Sequence, residues 1–272
     1  EEAAPVPEAE AVALREVSGT LDALPPLGAA WPDLVGFAAR YYQRSLGEVA
    51  LAALPPQLRD LSAVQLARRL KRQGAADVAG AAIAAAPTPT DEQASALARM
   101  EAEAGPFLLF GSTGSGKTEV YLRAVAALLQ RDPEAQALVM VPEINLTPQL
   151  EARFAERFGA GAVVSMHSGM TNPQRLASWL AAHHGAARIV LGTRMAVFAS
   201  MPRLRLIVVD EEHDPSYKQQ EGARYSARDL AVWRGRREDA KVVPGSATPS
   251  LESWHQSRPA ADGDAGGRYV RL

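Results

Sequence analysis

"GPFLLFGSTGSGKTEVYL", residues 105–122, sets a short apolar run, a glycine-rich turn and a helix-forming stretch in immediate succession. A strand that passes through such a turn into a helix is the opening unit of a parallel, helix-covered sheet. Gly111-Ser112-Thr113-Gly114-Ser115-Gly116-Lys117-Thr118 fills every fixed position of the pattern G-x-x-x-x-G-K-[ST]. Glycines let backbone N–H groups turn inward around phosphate oxygens, where side chains would collide. The helix that follows offers its positive end to the anion. Lys117 then places a point charge on the β and γ phosphates, and the Thr118 hydroxyl can ligate Mg²⁺. The competing reading, a flexible loop that happens to hold a solvated lysine, gives no reason for the strand and helix flanking it.

Working outward, the chain alternates regularly. Candidate strands lie at 107–110, 137–141, 162–165, 188–191, 204–209 and 241–243, with helices at 117–129, 147–158, 173–183 and 227–236 between most of them. Short apolar strands alternating with helices predict an α/β fold whose parallel sheet is covered on both faces. Upstream, Leu34, Phe37, Ala38 and Tyr41 fall at helical spacing after Trp31, and Gly47 and Pro55-Pro56 punctuate the pattern. A helix at 61–72 carries Arg68, Arg69, Lys71 and Arg72, a solvated face or a phosphate-tracking patch. Residues 1–10 read as an extended, poorly ordered acidic lead-in, and 85–91 as a linker marking a domain boundary. Thr90 with Gln93 three residues on has capping-box spacing.

A phosphate loop needs an acid to hold its metal. "LRLIVVDEEHD", 204–214, supplies Asp210 at the carboxyl end of an apolar strand, where parallel sheets open toward ligand. Glu211 can polarise the attacking water as general base. His213, beside the acids, reads as a relay toward later segments. An acidic solvated turn is the plainer account, and the intact phosphate loop argues against it. The five histidines show no zinc-ligand spacing.

The 272 residues are 47% hydrophobic, with a net charge of −2, so this is not a basic nucleic-acid coat and any DNA contact must be local. Cysteine is absent, which excludes disulfides and thiolate metal sites and fits a reducing, cytoplasmic setting. No apolar run approaches the roughly 20 residues of a membrane helix, so no membrane partner is expected. Without an initiator methionine or signal pattern at Glu1, the chain is expected to start inside a longer gene product.

Six stretches in unbroken order carry a resemblance: "GSTGSGKTEVYL", "VPEINLTPQL", "MHSGM", "IVLGTRMAVFA", "IVVDEEHDPSYKQQEGARYSARDLAV" and "GSATPSLESW". Together they resemble the bacterial primosomal replication-restart helicases, superfamily-two enzymes of the DExH type. The resemblance implies a RecA-like P-loop NTPase lobe, the first of two, over 88–272. It makes 1–58 the tail of a DNA 3′-end-binding domain and 59–87 a partial winged-helix or linker region. It implies that Gln93 reads adenine, and that Thr147, Pro148, Gln149, His167, Ser168, Gly192, Thr193 and Arg194 face single-stranded DNA. It also makes 214–229 an aromatic-rich loop in which Tyr217, Lys218, Gln219, Gln220, Arg224 and Tyr225 stack bases and track phosphates; a packed connector is the plainer alternative. Gly245, Ser246, Ala247 and Thr248 would couple hydrolysis to lobe movement.

The function so implied is an ATP- and Mg²⁺-dependent DNA helicase or translocase that binds stalled or repaired forks and initiates primosome assembly. Its partners would be single-stranded and forked DNA, primosome proteins and single-stranded-DNA-binding protein. A fork-binding scaffold without unwinding activity is the runner-up. Zinc is expected for the family, but this cysteine-free chain cannot bind it, and the family's zinc segment, its second lobe with the arginine finger and its C-terminal domain are expected to belong to a longer protein of which this chain is a fragment. Two departures stand out. Pro244 is expected to stop its strand at Val243. Asn145 replaces a common glycine but tolerates a left-handed backbone.

Overall fold

The sheet strands are apolar on both faces, and every residue of 136–140 and 189–192 is buried. The computed structural model describes residues 19–73, 87–259 and 266–272; the lead-in at 1–10 and residues 74–86 of the 59–87 region lie outside the described residues. Its strands are β1 (Phe107–Phe110), β2 (Gln136–Met140), β3 (Val163–Met166), β4 (Ile189–Gly192), β5 (Leu204–Val209), β6 (Lys241–Ser246) and β7 (Val270–Arg271). All pair in parallel, in the order β3-β4-β2-β5-β6-β1-β7. The fold is α/β, as the alternating sequence predicts, and RecA-like, as the resemblance implies.

Alternate residues serve opposite faces. Leu138, Met140, Val190, Ile207, Val209 and Val242 pack with α1 (Ala30–Tyr41), α7 (Asn172–His183) and α8 (Ala227–Glu238). Ala137, Val139, Ile189, Leu191, Val208 and Val243 pack with α4 (Asp91–Ala102), α5 (Lys117–Arg131) and α6 (Pro148–Phe158). Each larger aliphatic side chain so buried contributes roughly 1.5–3 kcal/mol. Among the described residues no helix is long and apolar enough to cross a membrane.

Pro244 does not end its strand. β6 continues to Ser246, with Pro244 opposite Val209 of β5, whereas pairing with β1 begins one residue later, at Leu109↔Gly245. The missing N–H therefore falls where the strand has not yet entered its second ladder. Upstream, α2 (Leu46–Ala53) forms across Gly47, capped by Ser45, whose hydroxyl accepts from the Glu48 N–H at 3.2 Å. On α3 (Ala63–Gln73), Leu66 is buried while Val64, Arg68 and Lys71 are exposed; the side chain of Arg72 is outside the described residues. α1 joins the sheet core through buried Trp31, Leu34 and Val35, and the Trp31 indole donates to the Phe198 carbonyl at 2.8 Å.

Candidate nucleotide and nucleic-acid site

Parallel strands deliver their following loops to one edge, and this chain places its chemistry there. After β1 the backbone turns at Gly114 and Gly116, with φ of +82° and +86°, a region glycine enters without strain. A β-carbon on Gly116 would lie 2.4 Å from Gln93 Nε2. The N–H groups of Thr113, Gly114, Gly116, Lys117 and Thr118 find no hydrogen-bond partner among the described residues. Five free donors around a helix N-terminus make a cradle that fits a polyphosphate.

Lys117 heads α5 and is buried by its own loop: Nζ donates to the Gly111 carbonyl at 2.9 Å and the Ser112 carbonyl at 3.4 Å. It also lies 3.6 Å from Glu211 Oε1, so loop and acidic turn share one cleft. Gln93 does two jobs. Its oxygen completes the Thr90 capping box, and its amide donates to the Ser115 and Gly116 carbonyls at 3.3 and 3.5 Å.

Asp210 follows β5, tied to β2 by its N–H to the Met140 carbonyl at 2.9 Å. Its Oδ1 accepts from the Tyr121 hydroxyl at 3.0 Å, and its carbonyl accepts from the Tyr217 hydroxyl at 2.6 Å. Burial pushes the Asp210 carboxyl above its ordinary range, against the Tyr121 hydrogen bond, and burial pushes both tyrosines well up. A divalent cation would favour the charged carboxylate. Thr118, half-buried on the first turn of α5, and Asp210 carry hard oxygen donors of the kind Mg²⁺ takes. Glu211 adopts φ +45°, turning the chain so that its carboxylate faces both Lys117 and His213 Nδ1, the latter at 3.6 Å.

His213 reaches the segment after β6. Its Nδ1 is 2.7 Å from Ser246 Oγ and its Nε2 is 3.3 Å from Thr248 Oγ1, while the Thr248 N–H donates to Ser246 Oγ at 3.0 Å. Gly245 accepts from the Glu212 N–H, Ala247 is half-buried and Thr248 is exposed.

Glu212, which sequence reasoning passes over, is buried and carries the densest set of contacts. It accepts from the Ser250 N–H at 2.7 Å, the Ser250 and Ser253 hydroxyls at 3.0 and 2.8 Å, and Arg228 at 3.3 Å. The start of α9 (Leu251–Gln256) is thereby bound to the acidic turn. Burial alone would lower the Arg228 pKa, but Asp229 and Glu212 together raise it.

The segments read as DNA-facing follow β2, β3 and β4. Thr147 caps α6, accepting from the Leu150 N–H at 3.3 Å, and Gln149 is exposed. His167 is half-buried, and the exposed Ser168 donates to Glu143 at 3.3 Å. Thr193 is buried with its hydroxyl unpartnered, and Arg194 donates to the Ser216 carbonyl at 2.9 Å. Gly192 is required: a β-carbon would sit 2.5 Å from Ala196 Cβ and from the Met166 carbonyl. Ser168, Thr193, Arg194, Arg175 and Tyr225 line a cavity of about 440 Å³ that Glu48 of α2 also borders.

Two expectations are corrected. Tyr217 and Tyr225 are only 2% and 7% exposed, so neither offers a ring face to a base in this structure. Tyr217 spends its hydroxyl on Asp210, and Tyr225 packs edge-on against Phe198. Lys218, Gln220 and Arg224 are exposed and Gln219 is half-buried. Lys218 lies 5.1 Å over the Tyr42 ring, and the Tyr42 hydroxyl accepts from the Ser226 N–H at 3.0 Å.

Residues 90–256 match the DEAD/DEAH box helicase family. The chain is 46% identical over 152 residues to replication restart protein PriA of Bacillus subtilis (strain 168), covering 56% of this chain and 18% of that protein. It is 34% identical over 252 residues to replication restart protein PriA of Rickettsia prowazekii (strain Madrid E), covering 93% of this chain and 36% of that protein. The crystal structure of a DEAD box protein from Methanococcus jannaschii is similar at 18% identity and a TM-score of 0.47, over 67% of this chain and 49% of that one. The chain thus spans well under half the length of these two curated relatives.

Proposed function

Because the chain belongs to the DEAD/DEAH box helicases and is of the PriA type, we propose that it is the nucleotide-binding first lobe of an ATP-dependent DNA motor that restarts replication at stalled or repaired forks. The observation that carries this reading is the shared cleft: Lys117 Nζ sits 3.6 Å from Glu211, one residue from Asp210. In the proposed reaction Lys117 leaves the Gly111 and Ser112 carbonyls for the β and γ phosphates, and the free loop N–H groups hold the remaining oxygens. Thr118 and Asp210 would hold Mg²⁺, which would supply charge neutralisation for the transferring phosphoryl group. Glu211 takes the proton of the attacking water. His213 carries the state of this turn to Ser246 and Thr248. Gln93 selects adenine.

Residues 147–149, 167–168 and 192–194 are the proposed single-strand surface, contacting phosphates without regard to sequence. Lys218, Gln220 and Arg224 extend it, while Tyr217 joins that loop to Asp210. Residues 1–58 are proposed as the end of a 3′-end-binding domain and 59–87 as a winged-helix remnant or linker. Forked DNA, primosome proteins and single-stranded-DNA-binding protein are the partners this reading requires.

The test is nucleotide binding and turnover with and without single-stranded DNA, in the wild type and Lys117→Ala. The expected result is weak, Mg²⁺-dependent binding that Lys117→Ala abolishes, with slow turnover by this chain tested alone, because phosphoryl transfer of this kind depends on an arginine supplied by a second lobe. Unchanged binding by Lys117→Ala contradicts the reading.

A further inference from the structure

We propose that Tyr121 is a positioning residue for the carboxylate that holds the metal, and that Gly245 is glycine because Tyr121 occupies the space its side chain would need. This rests on the reading of Asp210 given above.

Tyr121 lies four residues after Lys117, on the same face of α5 one turn further in. It is 2% exposed, and its hydroxyl donates to Asp210 Oδ1 at 3.0 Å. A ring buried in the core has little freedom, so a hydroxyl at its tip fixes whatever it bonds. The Asp210 backbone is held independently, by the Met140 carbonyl on one side and the Tyr217 hydroxyl on the other. With main chain pinned and Oδ1 engaged, the side chain is left one orientation in which Oδ2 remains available to a metal or its water.

Gly245 supplies the second observation. A β-carbon there would fall 1.8 Å from the Tyr121 oxygen and 3.0 Å from its Cζ, distances no packing adjustment of a buried ring can absorb. Gly245 has no need of a left-handed backbone, since it lies within β6, is paired with Leu109 and is absent from the positive-φ glycines. Its small size is therefore explained by the tyrosine. Tyr121 touches the first turn of the phosphate helix through its position, the acid through its hydroxyl and the coupling segment through Gly245. One side chain thus sets the spacing of all three.

The experiment titrates a fluorescent ATP analogue against the wild-type chain, Tyr121→Phe, Gly245→Ala and the double variant, in EDTA and across a Mg²⁺ series, with thermal melting of each. Tyr121→Phe keeps the ring and removes one oxygen. Its EDTA affinity is expected to match wild type, while the Mg²⁺ concentration giving half of the metal-dependent gain rises about 10-fold. Gly245→Ala is expected to melt lower than wild type, and adding Tyr121→Phe to recover part of that loss. A Mg²⁺ midpoint unmoved in Tyr121→Phe overturns the proposal, as does a double variant melting no higher than Gly245→Ala alone. Should wild-type binding be indifferent to Mg²⁺, the reading of Asp210 falls first and takes this inference with it.

Discussion

Tyr225 packs its ring against Phe198, centroids 5.0 Å apart at 80°, and burial pushes its hydroxyl up to about 12. A tyrosine serves equally well as a stacking platform or as core, and its neighbours in sequence do not say which. Burial separates the two. Tyr225→Ala is expected to cost about 3–5 kcal/mol of stability, read as a lower melting temperature in the absence of DNA. Unchanged melting with weakened oligonucleotide binding would return the residue to the nucleic-acid surface. Lys117 and Glu211, read in sequence from two separate motifs, stand 3.6 Å apart, so the phosphate loop and the acidic turn lie side by side. Tyr121 was not legible in advance, because at four residues from Lys117 it reads as one more member of the buried face of α5. Glu212 was hidden by its neighbours, since a tight turn breaks the alternation from which side-chain direction is read.

At the scale of elements, the strands were legible as short apolar runs, within one residue at most ends, because both faces are buried. β7 was not, since a two-residue strand carries no periodicity and exists only through pairing with β1. β6 overran its expected end because whether a proline is tolerated depends on which neighbour its missing N–H would have served. The same strand leads into the segment that Glu212 binds to the acidic turn. Glu212→Ala leaves the Ser250 N–H and two hydroxyls without their acceptor, and losing one member of a buried charged pair costs about 3–5 kcal/mol. Hydrogen exchange is expected to rise at 246–257 while residues 113–118 keep wild-type rates. Equal exchange at 246–257 would show that α9 is held by its apolar contacts alone.

For the whole molecule, His183 joins the segment before α1 to the sheet-covering layer. Its Nε2–H donates to the Pro25 carbonyl at 2.9 Å and its Nδ1 accepts from the Ser200 hydroxyl at 2.8 Å. Burial holds this imidazole below its ordinary value of 6.5, against the Pro25 hydrogen bond, and burial lowers His184 as well. The unfolded chain takes up a proton near pH 6.5 that the folded protein refuses. The stabilising contribution is therefore complete above that pH and lost as pH falls beneath it, by at most about 1.4 kcal/mol per pH unit for each group. Melting temperature should be flat in pH above neutrality and decline below it, less steeply in His183→Gln. Parallel slopes in the two proteins would contradict this.

The strand order carries one more consequence. Loops proposed for nucleic acid leave β3, β4 and β2, the acidic turn leaves β5 with its Asp210 N–H on Met140, the phosphate loop leaves β1, and β6 between those two carries the coupling segment. The two jobs thus occupy opposite flanks of one sheet. Grafting foreign loops after β3 and β4 would retarget the machine to another polymer while the phosphate loop on β1, at the far side of the sheet, stayed untouched.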